Sequence, residues 1–337
     1  PFWVLLCLLG CASSARSEAI ADTTAAPSVL TNAAQVLAVG RDEARQGLPV
    51  RLRGMVTLYR RSWQLFFLQD SSGGVYLFGG PERPGLRAGQ WIEVRGRTQE
   101  GRVSTIVFDE RVRALEPGEV PAAALSPRRV ELADLADARV DCQWVEFEAV
   151  ARRVELKAPQ LLLEFGPESA RVLASVPWSM GSAADREFLW RRVRIRGVCT
   201  FEPEGTRMSP RVYASSEEDL RSIPAGDRQV LEPANRTLGE LRRDPPRGDE
   251  QSLVRVQGVV TFAGIGVDGY IQDGTVPVAI RTLDPRTARV GDRVEVTGFG
   301  SASGWPARIE DVQVRNLGPG QSVEPAPVDN LDGLQGE

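Results

Sequence analysis

The chain has 337 residues, about twice the length of an ordinary single domain, which sets an expectation of two to four domains. It has no histidine, a single lysine (Lys157) and a net charge of −4. These counts exclude from this chain Ser-His and Cys-His catalysis, histidine metal sites and a P-loop, and they leave no overall basic field for nucleic acid.

The chain begins with an apolar run, Phe2 to Gly10, that is too short to span a bilayer and is followed by small residues. This is the pattern of an export signal over 1–21. Two readings of its processing stay open. Ala19-Ile20-Ala21 fits the small-x-small rule of ordinary signal peptidase, whereas Leu8-Leu9-Gly10-Cys11 resembles a bacterial lipobox, which would make Cys11 a lipid anchor. Either route places the protein outside the cytoplasm, periplasmic or extracellular. Residues 22–47 then read as an N-terminal linker.

From residue 48 onward one pattern recurs. Arg51-Leu52-Arg53-Gly54-Met55-Val56-Thr57 matches Arg255-Val256-Gln257-Gly258-Val259-Val260-Thr261. Gly54 stands 15 residues before Gln69, and Gly258 stands 14 before Gln272; Gly89 to Gly96 and Gly291 to Gly298 are both 7. A degenerate copy lies between them, with Trp144–Val150 in the place of the first strand, Ala149 where the others have Gly, Leu161–Phe165 in the place of the second and Arg191–Val198 in the place of the fourth. Trp91-Ile92-Glu93-Val94-Arg95 alternates apolar and charged residues with period 2, as a half-buried strand does. The first copy predicts five strands, at about 50–59, 64–70, 74–78, 90–98 and 103–114. A glycine inside the first strand lets it bend between two sheet halves, as a small closed barrel requires.

The expected fold is therefore all-β: three tandem OB-like five-stranded barrels over 48–118, 142–224 and 253–318. Pro-rich or short helical linkers join them at 119–141 and 225–252. Residues 319–337 read as a linker that could introduce a further repeat.

Residues 30–39 (LTNAAQVLAV), 47–57 (GLPVRLRGMVT), 65–77 (LFFLQDSSGGVYL), 85–98 (GLRAGQWIEVRGRT), 132–150 (LADLADARVDCQWVEFEAV) and 193–199 (VRIRGVC) resemble a family of bacterial export-targeted regions. Those regions stand ahead of a membrane helix and a histidine kinase in multidomain sensor proteins. The resemblance implies an extracytoplasmic sensory region, with a downstream membrane-anchored signalling domain as its partner. No ligand or catalytic residue comes with it.

OB barrels take ligands on strands two and three and the loops around them, with aromatic stacking. In the first copy this points to Tyr59, Arg60, Arg61 and Trp63 on the first loop, and to Tyr76 and Phe78 sharing one face of the third strand. The competing reading has these aromatics packing on a neighbouring domain. Phe262, Tyr270 and Trp305 are the counterparts in the third copy, while Trp178 and Trp190 read as packing. Cys142 precedes the first strand of the middle copy and Cys199 ends its fourth; the topology brings them together for a disulfide, and two reduced thiols filling small apolar sites are the alternative. No catalytic residue, metal site or cofactor is expected. The functional expectation is a non-catalytic sensory or ligand-binding region for a small molecule or sugar, with nucleic acid weighed against. An OB-type nucleic-acid-binding protein and an exported carbohydrate-binding module are the alternatives.

Overall fold

The computed structural model describes residues 28–80, 83–179, 187–223, 231–244, 246, 252–274, 276–281, 283–301 and 307–321. The export signal with Cys11, and the closing segment from 322, lie outside these residues. Five strands, β1 (Pro49–Arg60), β2 (Leu65–Asp70), β3 (Gly73–Phe78), β4 (Trp91–Gln99) and β5 (Ile106–Ala114), close a barrel in the order β1-β2-β3-β5-β4. Their inward positions, among them Leu52, Val56, Leu68, Val75, Ile92 and Val94, make one apolar core, as the period-2 pattern requires.

The sharing of β1 explains its glycine. Residues Pro49 to Met55 pair with β4, and Met55 to Arg60 pair with β2. A Cβ on Gly54 would lie 2.6 Å from the Gln69 carbonyl oxygen, so only glycine lets β2 cross so closely.

The third sheet repeats this order. It has β14 (Ala234–Asn235) on its edge and β15 (Leu253–Phe262), β16 (Gly269–Asp273), β17 (Val276–Ile280), β18 (Asp292–Ser301) and β19 (Arg308–Pro319), with β15 pairing back to β18. Gly258 faces Val294 as Gly54 faces Ile92.

The middle sheet departs from the expected five-stranded barrel. Its strands are β6 (Arg128–Arg129), β7 (Trp144–Val150), β8 (Arg153–Lys157), β9 (Gln160–Phe165), β10 (Val172–Pro177), β11 (Arg192–Glu204), β12 (Arg207–Tyr213) and β13 (Leu220–Ser222). They run β6-β7-β11-β12-β10-β9-β8, with β13 added to β11. Ala149 faces Val193, which confirms its register with Gly54 and Gly258. Here, however, the first strand is split: β7 pairs with β11 and β8 with β9. Ala151 bonds to the β11 side through Arg191 and Trp190, and the Arg152 N–H turns to Glu164 on β9. Where the glycine is missing, the backbone breaks instead of bending.

The segments read as linkers are built into the sheets. Leu30 bridges Val50, β6 lies parallel to β7, and β14 lies parallel to β15. A short helix follows each bridge: α1 (Ala33–Leu37), a 3-10 turn at Leu132–Ala136, and a helix at Leu238–Arg243. Each begins with a reciprocal cap, Asn32 with Gln35, Glu131 with Asp134 and Thr237 with Glu240. Each also sends apolar residues into the neighbouring core: Ala33 and Val36, Leu135, and Leu238 and Leu241.

The first and second sheets meet through Leu58, Phe67, Cys142, Val198 and Tyr213, flanked by Trp63, Leu65 and Tyr76. The second and third meet through Val150, Leu253 and Phe299. A bidentate Arg171–Asp311 pair at 2.9 and 3.0 Å joins them further.

The disulfide predicted between Cys142 and Cys199 is not formed; both are free, buried thiols. The topology does bring their backbones together, since the Cys142 N–H donates to the Cys199 carbonyl at 2.8 Å. Cys142 has φ 63°, and its side chain joins the seam with the first barrel while Cys199 packs in the core of the second sheet. A left-handed residue just before the strand thus sends the two sulfurs to different clusters.

Candidate ligand-binding face

Of the six residues predicted to form a ligand face on the first barrel, Tyr59 packs against the barrel core, Trp63 and Tyr76 lie at the seam with the second unit, and all but Arg61 are half-buried. Tyr59 sets its ring edge-on to Phe66 at 5.2 Å, and its hydroxyl accepts the Arg83 N–H at 3.2 Å. Arg60 lies 4.5 Å over the Trp63 ring and donates to the Ala214 carbonyl of the second unit at 3.2 Å; burial lowers its pKa. Trp63 packs edge-on against Tyr213 at 6.0 Å. Tyr76 contacts Phe67 at 5.1 Å and donates through its hydroxyl to the Gln64 carbonyl at 2.6 Å. Phe78 lies parallel to Tyr76 at 6.3 Å and rests on Phe108. Only Arg61, which reaches the Gly80 carbonyl at 3.4 Å, stays exposed. On the outer face of β2 and β3, Leu65, Phe67 and Tyr76 pack toward the second unit, whereas Phe78 rests on its own barrel.

Among the described residues, the corresponding face of the third barrel is open. The loop from β15 to β16 presents Phe262 (48% exposed), Ile265 (86%) and Val267 (49%), and Tyr270 stands 6.3 Å from the Phe262 ring. Asp268 pins the base of this loop, taking Arg281 and Arg308 at 3.0 Å each. Both arginines keep more than a third of their side-chain surface. Three large apolar side chains held outward on a pinned hairpin are unusual for surface that nothing covers. Phe262 and Tyr270 are visible in the sequence as repeat counterparts. Ile265 and Val267 are not, because they interrupt the strand alternation between Gly264, Gly266 and Asp268. Trp305 lies outside the described residues. Trp178 packs on Phe188 at 5.6 Å, and Trp190 lies against the seam of the second and third units, as packing residues.

Each unit also carries a ladder of ion pairs on the outer face of its first and fourth strands. Glu93 is 4% exposed and meets Arg51 and Arg53 at 2.9 Å, with Arg95 and Arg113 at 3.4 and 3.5 Å. Hydrogen bonds from Arg51 foremost, then Arg53, hold its carboxyl at about 2, against the opposing effect of burial. In the middle unit the charges are exchanged: Glu146 and Glu148 on β7 face Arg196 and Arg194 on β11.

No family model matches the chain, and no curated protein does. The solved structures it resembles are alike in fold. The hypothetical protein ygiW from E. coli is 21% identical over 26% of this chain and 90% of its own, with a TM-score of 0.21. A Replication Protein A heterotrimer bound to single-stranded DNA is 10% identical over 83% of this chain and 95% of its own, at 0.27. A murine DNA-binding protein bound to double-stranded DNA is 14% identical over 54% and 99%, at 0.25. The chain is an all-β protein of the OB type. The expectation that weighed against nucleic acid is corrected here, because similar structures are titled as complexes with single- or double-stranded DNA.

Proposed function

We propose that the chain is a non-catalytic OB-type binding protein that takes a single-stranded nucleic acid on the open face of the third barrel. The observation that carries this reading is the outward presentation of Phe262 beside Tyr270, at the position that the first barrel fills with its neighbour. Bases stack on such rings at roughly 1–3 kcal/mol each and with little sequence preference. Arg281 and Arg308 are already paired with Asp268, so few counterions are released on binding and affinity falls only shallowly with salt. The test is fluorescence anisotropy with a labelled oligothymidylate. Phe262→Ala is expected to weaken binding by about tenfold, the loss of one stacked base. Absence of binding, or equal binding by the variant, refutes the reading.

An extracytoplasmic sensory region is the second reading, favoured by the order of the motifs at 30–39, 47–57 and 65–77. Export belongs with it, resting on residues 1–21. A thermal-shift response to a sugar or metabolite that persists in Phe262→Ala supports this reading over the first.

A further inference from the structure

The middle unit adds a pair of opposed arginines at the edge of its own ion-pair ladder. The extra strand β13 pairs with the outer edge of β11 so that Arg221 stands directly opposite Arg194. Like charges in that position repel, and Arg196 lies two residues along on the same face. The three arginines, with Ser216, Glu218 and Asp219, line a cavity of about 200 Å³.

Among the described residues, two of the three arginines already carry a carboxylate partner, and the third does not. Glu148 Oε1 takes Arg194 Nε and Nη2 at 2.9 and 2.6 Å, and Glu146 Oε2 takes Arg196 Nε at 2.7 Å. Asp219 Oδ2 accepts the backbone N–H groups of Ser215 and Ser216 at 2.9 and 3.0 Å, and burial pushes its carboxyl up. Glu218 stands on the exposed rim. Arg221 has no ion pair or hydrogen bond among the described residues.

The exchange of charges between units is what creates the cavity's character. The residue in register with Arg194 is Glu93 in the first barrel and Glu295 in the third, so there an acid sits among arginines and satisfies them. In the middle unit an arginine occupies that place, and β13 brings another against it. We propose that this cavity binds a small oxyanion of the phosphate class, either inorganic phosphate or a phosphomonoester. Such an anion would lie between the Arg196 and Arg221 guanidiniums. Planar guanidiniums suit the paired oxygens of a phosphate, and charge-assisted bonds are the strong ones.

The test is a thermal-shift titration of the whole chain with sodium phosphate against sodium chloride at matched ionic strength. Phosphate is expected to raise the Tm of the wild type and of an Arg111→Gln control on the first barrel, and not of Arg221→Gln. Calorimetric titration should show phosphate affinity falling about ten- to a hundredfold in Arg221→Gln, as for loss of a charged hydrogen bond. Without phosphate, Arg221→Gln should melt no lower than the wild type, because it removes a like-charge contact. No phosphate-specific shift, an equal shift in Arg221→Gln, or a lower melting point of the unliganded variant would each overturn the site.

Discussion

Gln69 and Trp144 meet across 75 residues of chain, with Gln69 Oε1 accepting the Trp144 backbone N–H at 2.7 Å. Gln69 is buried at the end of β2, and Trp144 opens β7. This bond fixes the first barrel to the second unit at the start of β7. Around it Leu65, Phe67 and Tyr76 become part of a seam, so part of the face expected to bind a ligand on the first barrel meets the second unit instead.

Gly74 lies beside this bond, and a Cβ there would stand 2.0 Å from the Cys142 carbonyl oxygen. Gly74→Ala should therefore force the two units apart without touching either core. The expected cost is roughly 1–3 kcal/mol, the usual range for overpacking. Urea unfolding measures it, and a midpoint equal to the wild type would show that the seam gives way freely.

The two cysteines report on the same seam. Burial pushes the Cys142 thiol well up and the Cys199 thiol up to about 12. Thiolate is the reactive form, so neither should react with an aromatic disulfide reagent at pH 8 in the folded protein. Both should react on unfolding, and Cys142 should react faster in Gly74→Ala. A reducing agent should leave the Tm unchanged. A Tm that falls on reduction would show that a bridge forms in solution.

Glu93 makes stability depend on acid. Its carboxyl is held at about 2 in the folded chain against 4.5 ordinarily, so the unfolded chain takes up the proton first. The stability it contributes is complete above about pH 4.5 and is lost as the pH falls toward 2. Glu93→Gln should melt below the wild type at pH 7, and the gap should close between pH 4.5 and 2. A gap that stays constant with pH would remove the ion pairs as its cause.

Arg171 and Asp311 join the second and third units, with side chains 18% and 4% exposed. Among the described residues, Arg171→Met leaves Asp311 with Arg152 at 3.7 Å as its ion-pair partner. Removing one partner of a buried pair costs about 3 kcal/mol, and at this depth added salt screens little of it. A double-mutant cycle with Asp311→Asn gives the coupling directly. Coupling near zero, or abolished by 0.5 M salt (roughly a Debye length of 4 Å), would make the pair a surface contact.

The strands themselves were written locally. Alternation in Trp91–Gln99 and the glycines at 54 and 258 locate the barrel strands to within a few residues, because burying one face of a strand needs only a period of two. Even the middle copy's misfit at Ala149 was visible, although not that the backbone would break after Val150. Two things escaped. The linkers proved to be part of each unit, because a two-residue parallel bridge and a single helical turn have too little periodicity to stand out. The choice of ligand face was beyond local reading, since Trp63 and Tyr76 have the same character whether they meet a ligand or Tyr213. Sequence by itself determined which faces of each strand are apolar. Which of those faces stays open was decided only when the second unit settled on the first, because burial between distant segments depends on which surfaces meet in space.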